Sequence, residues 1–175
     1  MLKTIPTITI CTDASFLHYE KTGAWACYIR TPDQTIRTSG ILKGTVLNST
    51  HAEKLGIANA LFIANMNIDI SSHKLIVYCD NKSAYSLPGV NKTPQSKYYK
   101  KQKSNHTWYK DNIQIFLDKA IEYETRHVKG HLPQKAWDTV TKKHYMNDWC
   151  DKEAKRLTRL YRQKIKEEQL NENIN

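Results

Sequence analysis

The sequence predicts an α/β protein built on a five-stranded mixed sheet, three antiparallel strands followed by two parallel ones, flanked by helices. Three observations carry this expectation. Strand-like runs at residues 8–13, 24–30 and 35–43 follow one another with short connections, the signature of an antiparallel meander. From His51 to Met66 the apolar residues Ala52, Leu55, Ala58, Leu61, Phe62 and Met66 recur at three- and four-residue steps, a helical period. The run 75–79, Leu-Ile-Val-Tyr-Cys, then follows that helix as a nearly continuous apolar stretch, which fits a buried parallel strand.

The first strand, Ile-Thr-Ile-Cys-Thr-Asp, is β-branched and ends on a carboxylate. Side chains alternate along a strand, so Thr9, Cys11 and Asp13 share one face. Taken alone, an aspartate in such a place is a turn former or a helix cap. The second strand, Ala-Trp-Ala-Cys-Tyr-Ile-Arg, is separated from the third by a turn at Pro32 and Asp33. In the first helix, Thr50 and Glu53 have the spacing of a capping box, which gives Glu53 a purely structural reading. The strand 75–79 also stops at a carboxylate, Asp80, which could equally cap the short helical segment that Pro88 and Gly89 close. Residues 111–121 read as a helix and 123–128 as a fifth strand, ending in His127-Val128-Lys129-Gly130-His131. A long amphipathic helix over about 146–168 carries Met146, Cys150, Ala154, Leu157, Tyr161 and Ile165 on its inner stripe. Near its start Asp148 and Asp151 lie three apart, on one face.

At 175 residues the chain suits a single domain over 1–175, with a core of about 5–162 and a frayed tail over about 169–175. The few residues before the first strand leave no room for an accessory domain and do not resemble a signal peptide. Charged residues at 25% and hydrophobic ones at 39% are the values of a soluble globular protein, and no apolar run approaches the roughly 20 residues of a membrane span. Cys11, Cys27, Cys79 and Cys150 have no paired spacing, which excludes an ordinary zinc site and points to reduced core residues of a cytoplasmic protein. A net charge of +10 points to a polyanion as partner. Between Asn81 and Lys110 there are seven lysines and no acidic residue, with Tyr98, Tyr99, Trp108 and Tyr109 interleaved, a pattern suited to neutralising a phosphate backbone and stacking on it.

The strand 75–79 must join the sheet beside the first strand, through a right-handed crossover. Asp13 and Asp80 then leave the same sheet edge, where α/β sheets place their sites. Four carboxylates gathered there would repel one another, and a divalent cation is the natural remedy. Their hard oxygens favour Mg²⁺ or Mn²⁺.

With these motifs in place, the sequence resembles a type 1 ribonuclease H over about residues 7–160. The resemblance rests on Thr-Asp-Ala-Ser at 12–15, Thr-His-Ala-Glu at 50–53, Tyr-Cys-Asp-Asn at 78–81, Val-Lys-Gly-His at 128–131 and Asn-Asp-Trp-Cys-Asp-Lys-Glu-Ala at 147–154. It implies a ribonuclease H-like fold and a catalytic, metal-holding set of Asp13, Glu53, Asp80 and Asp151, with Asp148 as the alternative to Asp151. Two Mg²⁺ ions, or Mn²⁺ in their place, would support hydrolysis of the RNA strand of an RNA/DNA hybrid by a monomer, leaving 5′-phosphate and 3′-hydroxyl ends. His131 would assist proton transfer or product departure, with His144 as its competitor. The resemblance further implies substrate contacts from Ser15, Asn48, Ser49, Thr50, Asn81, Lys82, Trp108 and Asn147, and a basic grip from Lys97, Lys100, Lys101 and Lys103. Three features depart from the family pattern: Lys82 stands where a polar amide is usual, 15 residues separate His131 from Asn147, and the basic region is rearranged. A junction resolvase or transposase-like nuclease of the same fold, or a catalytically silent nucleic-acid-binding module, are the rival readings.

Overall fold

The computed structural model describes residues 5–84, 107–130 and 141–172. Strands β1 (Thr7–Leu17), β2 (Thr22–Arg30) and β3 (Thr35–Ile41) form an antiparallel meander, and β4 (Lys74–Cys79) and β5 (Glu122–His127) run parallel to β1. The sheet order is β3-β2-β1-β4-β5, so the crossover from β3 through α1 (Ser49–Asn67) returns the chain to the far side of β1, as the apolar run at 75–79 requires. A helical segment over residues 107–117, here α2, contains a π-helical turn at Lys110–Gln114 and closes with Ile115–Leu117. The chain ends in α3, Lys142–Glu172.

The two faces of β1 build two cores. Ile8 and Ile10 point toward α1 and pack with Ile29, Val77, Ile57 and Leu61, a layer that Tyr109, Ile113 and Leu117 of α2 extend. Cys11 points the other way and packs with Ala26, Tyr28, Tyr78 and Val128 beneath Met146, Cys150 and Ala154 of α3. The period of two along β1 thus divides the molecule into helix, sheet and helix layers. All four cysteines are buried and unpaired, as expected of core residues.

Several boundaries differ from those the sequence suggests. β1 does not stop at Asp13 but continues to Leu17, because its antiparallel pairing with β2 runs to Leu17↔Thr22 while its parallel pairing with β4 ends at Cys11↔Tyr78. α1 begins two residues earlier than its apolar period, because Asn48 is the cap: its Oδ1 accepts the His51 N–H at 2.8 Å. The capping-box reading of Thr50 and Glu53 is therefore incorrect, since both stand inside the helix. α2 starts before residue 111 and ends at Leu117 rather than 121, where the backbone turns toward β5. α3 starts at Lys142, so Lys142, Lys143 and His144 form a first helical turn instead of a loop, and it runs past 168 to Glu172. Among the described residues no helix is long and apolar enough to cross a membrane.

Candidate active site

The site arises because β1 outlasts β4. Past Cys11, β1 has no parallel neighbour, and the edge so opened admits side chains from both helix layers. Asp13 projects on the α3 face of β1, whereas Glu53 reaches the same point from the first turns of α1 on the opposite face. Their junction is the Ala14 amide, which donates to Asp13 Oδ1 at 2.7 Å and to Glu53 Oε1 at 3.2 Å. α1 can approach this closely because Gly56 faces β1: a Cβ there would lie 3.0 Å from Thr12 Oγ1.

Asp80 arrives one residue beyond β4, held from the end of β5. The His127 ring nitrogen Nε2 lies 3.0 Å from the Asp80 carbonyl oxygen, and the Val128 amide donates to the Cys79 carbonyl at 3.2 Å. Gly130 lies against the carboxylate itself: a Cβ there would stand 2.8 Å from Asp80 Oδ2, so any side chain would displace the carboxylate. Cys79 adds a buried contact, its thiol donating toward Glu53 Oε2 at 3.7 Å. Ligand atoms of Glu53, Cys79 and Asp80 fall within 4.8 Å of one another.

Asp151 completes the group from α3. Its side chain is 19% exposed and pairs with Lys155 at 2.7 Å, while Asp148 is 55% exposed and pairs outward with Lys152. The charge of Asp151, together with that of Asp80, acts on Asp13, which separates it from Asp148 by geometry.

The electrostatics follow from this crowding. Asp13 and Glu53 are 5% and 6% exposed. Burial first, then the charges of Asp80 and Asp151, push the Asp13 carboxyl up to about 7, against the lowering effect of hydrogen bonds from Glu53 and Ala14. Burial and the Asp13 and Asp80 charges push Glu53 higher still, to about 10, so Glu53 keeps its proton and shares it with Asp13. Such a set of hard oxygen donors, short of positive charge, fits Mg²⁺ or Mn²⁺. Asn147, also on α3, is 4% exposed, and its Oδ1 is buried with no hydrogen-bond partner among the described residues.

The remaining sequence candidates scatter more widely. Asn81 Nδ2 donates to Thr50 Oγ1 at 3.3 Å, joining the start of α1 to the residue after Asp80, and Asn48 and Ser49 stand at that same helix start. Ser15 lies two residues along β1 from Asp13, and Lys82 is exposed beside Asn81. Trp108 is half-buried against the α1 core and meets the His51 ring edge-on at 6.1 Å, so part of its surface is committed to packing. His144 is held at the start of α3, where its Nδ1 lies 3.0 Å from Thr141 Oγ1, about two turns before Asp151. His131, Lys97, Lys100, Lys101 and Lys103 lie outside the described residues. Sequence reasoning missed Cys79, His127 and Gly130 as neighbours of the carboxylates. Only Gly130 left a signal, as a glycine in the segment directly after a predicted strand.

No protein-family model matches this sequence, and no curated protein does. Solved structures do resemble it. The N-terminal RNase H domain of Rv2228c from Mycobacterium tuberculosis, solved as a fusion with maltose-binding protein, superposes with a TM-score of 0.56 at 12% identity, covering 91% of this chain and 99% of that one. LC11-RNase H1 in complex with RNA/DNA hybrid gives 0.48 at 15% identity over 70% and 86% of the two chains. RNase H1 from the halophilic archaeon Halobacterium salinarum gives 0.44 at 13% identity over 71% and 86%. The first of these carries the structural argument, and at its level of identity the likeness concerns the fold. The five-stranded mixed sheet with its flanking helices is the ribonuclease H fold.

Proposed function

We propose that this chain is a metal-dependent endonuclease that hydrolyses the RNA strand of RNA/DNA hybrids. The observation that carries the reading is the convergence of Asp13, Glu53, Asp80 and Asp151 from four separate elements onto one sheet edge, two of them almost fully buried and held above their ordinary pKa. Four carboxylates are a costly thing to gather for stability, and the cost is offset when divalent cations occupy the site. The fold, and the basic charge of the whole chain, support the same reading.

In this reading the four carboxylates hold two Mg²⁺ ions, with Mn²⁺ as a substitute. Held by these residues, such cations would supply a lowered pKa for an attacking water and charge stabilisation for a departing 3′ oxygen, which would give 5′-phosphate and 3′-hydroxyl ends. The protein's own part is positioning. The Ala14 amide fixes Asp13 and Glu53 relative to each other, and the His127 ring and Gly130 fix Asp80. In the same reading the buried, unpartnered Asn147 Oδ1 would accept a hydrogen bond from a bound water, and Asn48, Ser49, Thr50 and Asn81 would offer short polar groups to a hybrid's groove. His131 would assist proton transfer or product departure, with His144 as its competitor, and Lys97, Lys100, Lys101 and Lys103 would grip the backbone.

The test is cleavage of strand-labelled RNA/DNA hybrid, double-stranded RNA and single-stranded RNA in Mg²⁺, with Asp13→Asn and Asp80→Asn as controls. Loss of the RNA strand of the hybrid alone, abolished in both variants, is expected. Preference for either other substrate sinks the hybrid reading, and active variants sink the site.

A further inference from the structure

α3 carries a row of positive charge that the carboxylate site does not use. From Ala154 to Lys166 it contains Lys155, Arg156, Arg159, Arg162, Lys164 and Lys166 and no acidic residue. Four of these, Lys155, Arg159, Arg162 and Lys166, recur at steps of four, three and four. At about 100° per residue they fall on one narrow face of the helix. Asp151, four residues before Lys155, begins the same face, and its partner Lys155 is the row's first member. The row therefore leads away from the carboxylates along the helix for about 16 Å. Its cations are exposed, and the ion pairs of Lys155 with Asp151 and of Arg162 with Glu20 are open to solvent on the cation's side, where such pairs are weak and yield to a stronger anion. Beside the row's far end stands the tip of the β1–β2 hairpin, whose Tyr19 is 90% exposed. A cleft of about 500 Å³ separates the two, lined by Tyr19, Glu20, Arg162, Ile165, Lys166 and Gln169.

We infer that this face of α3 is a second nucleic-acid contact, which binds the phosphate backbone of the duplex on the α3 side of the cleavage site while Tyr19 offers a ring to the sugar or an unpaired base. The inference rests on the nuclease reading for the identity of the duplex, but its charge geometry stands apart from the chemistry. Neighbouring cations in the row rise by about 5 Å along the helix against about 3.4 Å per phosphate on one strand, so the row as a whole spans about five phosphate steps. A salt-bridge-laced helix face would alternate its charges, whereas the helix carries no acid of its own from Ala154 to Lys166, and the acids that meet the row, Asp151 and Glu20, stand at its two ends.

Binding of the full chain to a labelled RNA/DNA hybrid and to a DNA duplex, in EDTA so that nothing is cleaved, measured against salt, tests it. Arg159→Glu is compared with Lys164→Glu, which makes the same charge change on the opposite side of the same helix. Arg159→Glu should weaken binding about eightfold or more at 0.1 M salt and lower the salt slope by about 0.9, since each contact contributes salt to roughly that power. Lys164→Glu should leave the slope as it was. Equal losses in both variants, no loss in either, or a wild type that binds no duplex at low salt overturns the inference. So does a polyglutamate peptide whose binding, unlike that of nucleic acid, depends on Arg159. The two readings fail separately. Hybrid cleavage with an Arg159→Glu variant that binds as wild type removes the α3 contact alone, and weakened duplex binding without any cleavage removes the nuclease alone.

Discussion

Asp13→Asn should make the metal-free protein more stable, although it removes the central acid of the site. The Asp13 carboxyl is raised from 3.8 to about 7, by burial first and then by Asp80 and Asp151. Roughly three units at 1.36 kcal/mol each amount to about 4 kcal/mol that the ionised group takes from the fold. Because the native pKa is the higher one, the native state holds an extra proton between about pH 4 and pH 7. This contribution to stability is complete below pH 4 and is lost as pH rises through about 7. Asparagine keeps an oxygen for the Ala14 amide and carries no charge. Urea titrations in EDTA should therefore find Asp13→Asn about 2–4 kcal/mol more stable than wild type at pH 8, and within about 1 kcal/mol of it at pH 4. Added Mg²⁺ should stabilise the wild type at pH 8 and have little effect on the variant. A variant less stable at pH 8, or a difference that does not change with pH, would refute the reasoning.

The other residues of the site give sharper local tests. Gly130→Ala places a methyl group 2.8 Å from Asp80 Oδ2. The carboxylate must move, so Mn²⁺ affinity by titration should fall about 10- to 100-fold while the thermal midpoint changes little. Asp151→Asn should lower hybrid turnover roughly a hundredfold or more, and Asp148→Asn less than about threefold, because Asp148 points outward to Lys152. Equal effects would assign the site to the wrong aspartate. Asn48→Ala removes the cap of α1 and should cost about 1 kcal/mol in urea unfolding, whereas Thr50→Ala, inside the helix, should cost the helix start less.

The strand order and the two core faces were legible because they follow from periodicity, and periodicity is a property of local sequence. The apolar run at 75–79 following a helix implied a parallel strand beside β1, and β4 pairs with β1 as expected. What was not legible depends on where neighbouring elements end. Nothing in residues 8–13 reveals that β1 continues to Leu17, since that is decided by the length of β2. Thr50 and Glu53 fit a capping box by spacing, but the helix starts two residues earlier, where Asn48 caps the His51 amide. Glu53 is thereby left to its place against Ala14, where only the three-dimensional approach of α1 to β1 could put it. Cys79, His127 and Gly130 make contacts across the sheet edge with residues 26, 47 and 50 positions away, and no local pattern marks them.

If the chain binds a duplex and divalent cations as proposed, its charges couple the two. A net charge of +10 surrounds one pocket of four acids. A nucleic acid drawn in by the basic surface would bring its own negative charge to that pocket, where Asp13 and Glu53 already share a proton because they cannot both ionise. Divalent cations remove this conflict, so cation and duplex must bind with positive cooperativity. Linkage requires each to raise the affinity of the other by the same factor, typically 5- to 150-fold. Ca²⁺, a hard oxygen-binding cation, allows the test if it occupies the site without supporting rapid turnover. Duplex affinity measured with and without saturating Ca²⁺ should rise, and Ca²⁺ affinity measured with and without duplex should rise by an equal factor. In Asp13→Asn, where the repulsion is already reduced, the coupling should shrink. A duplex that binds equally well to the empty and the filled site would mean that the substrate backbone does not approach these carboxylates, and the nuclease reading would fall with it.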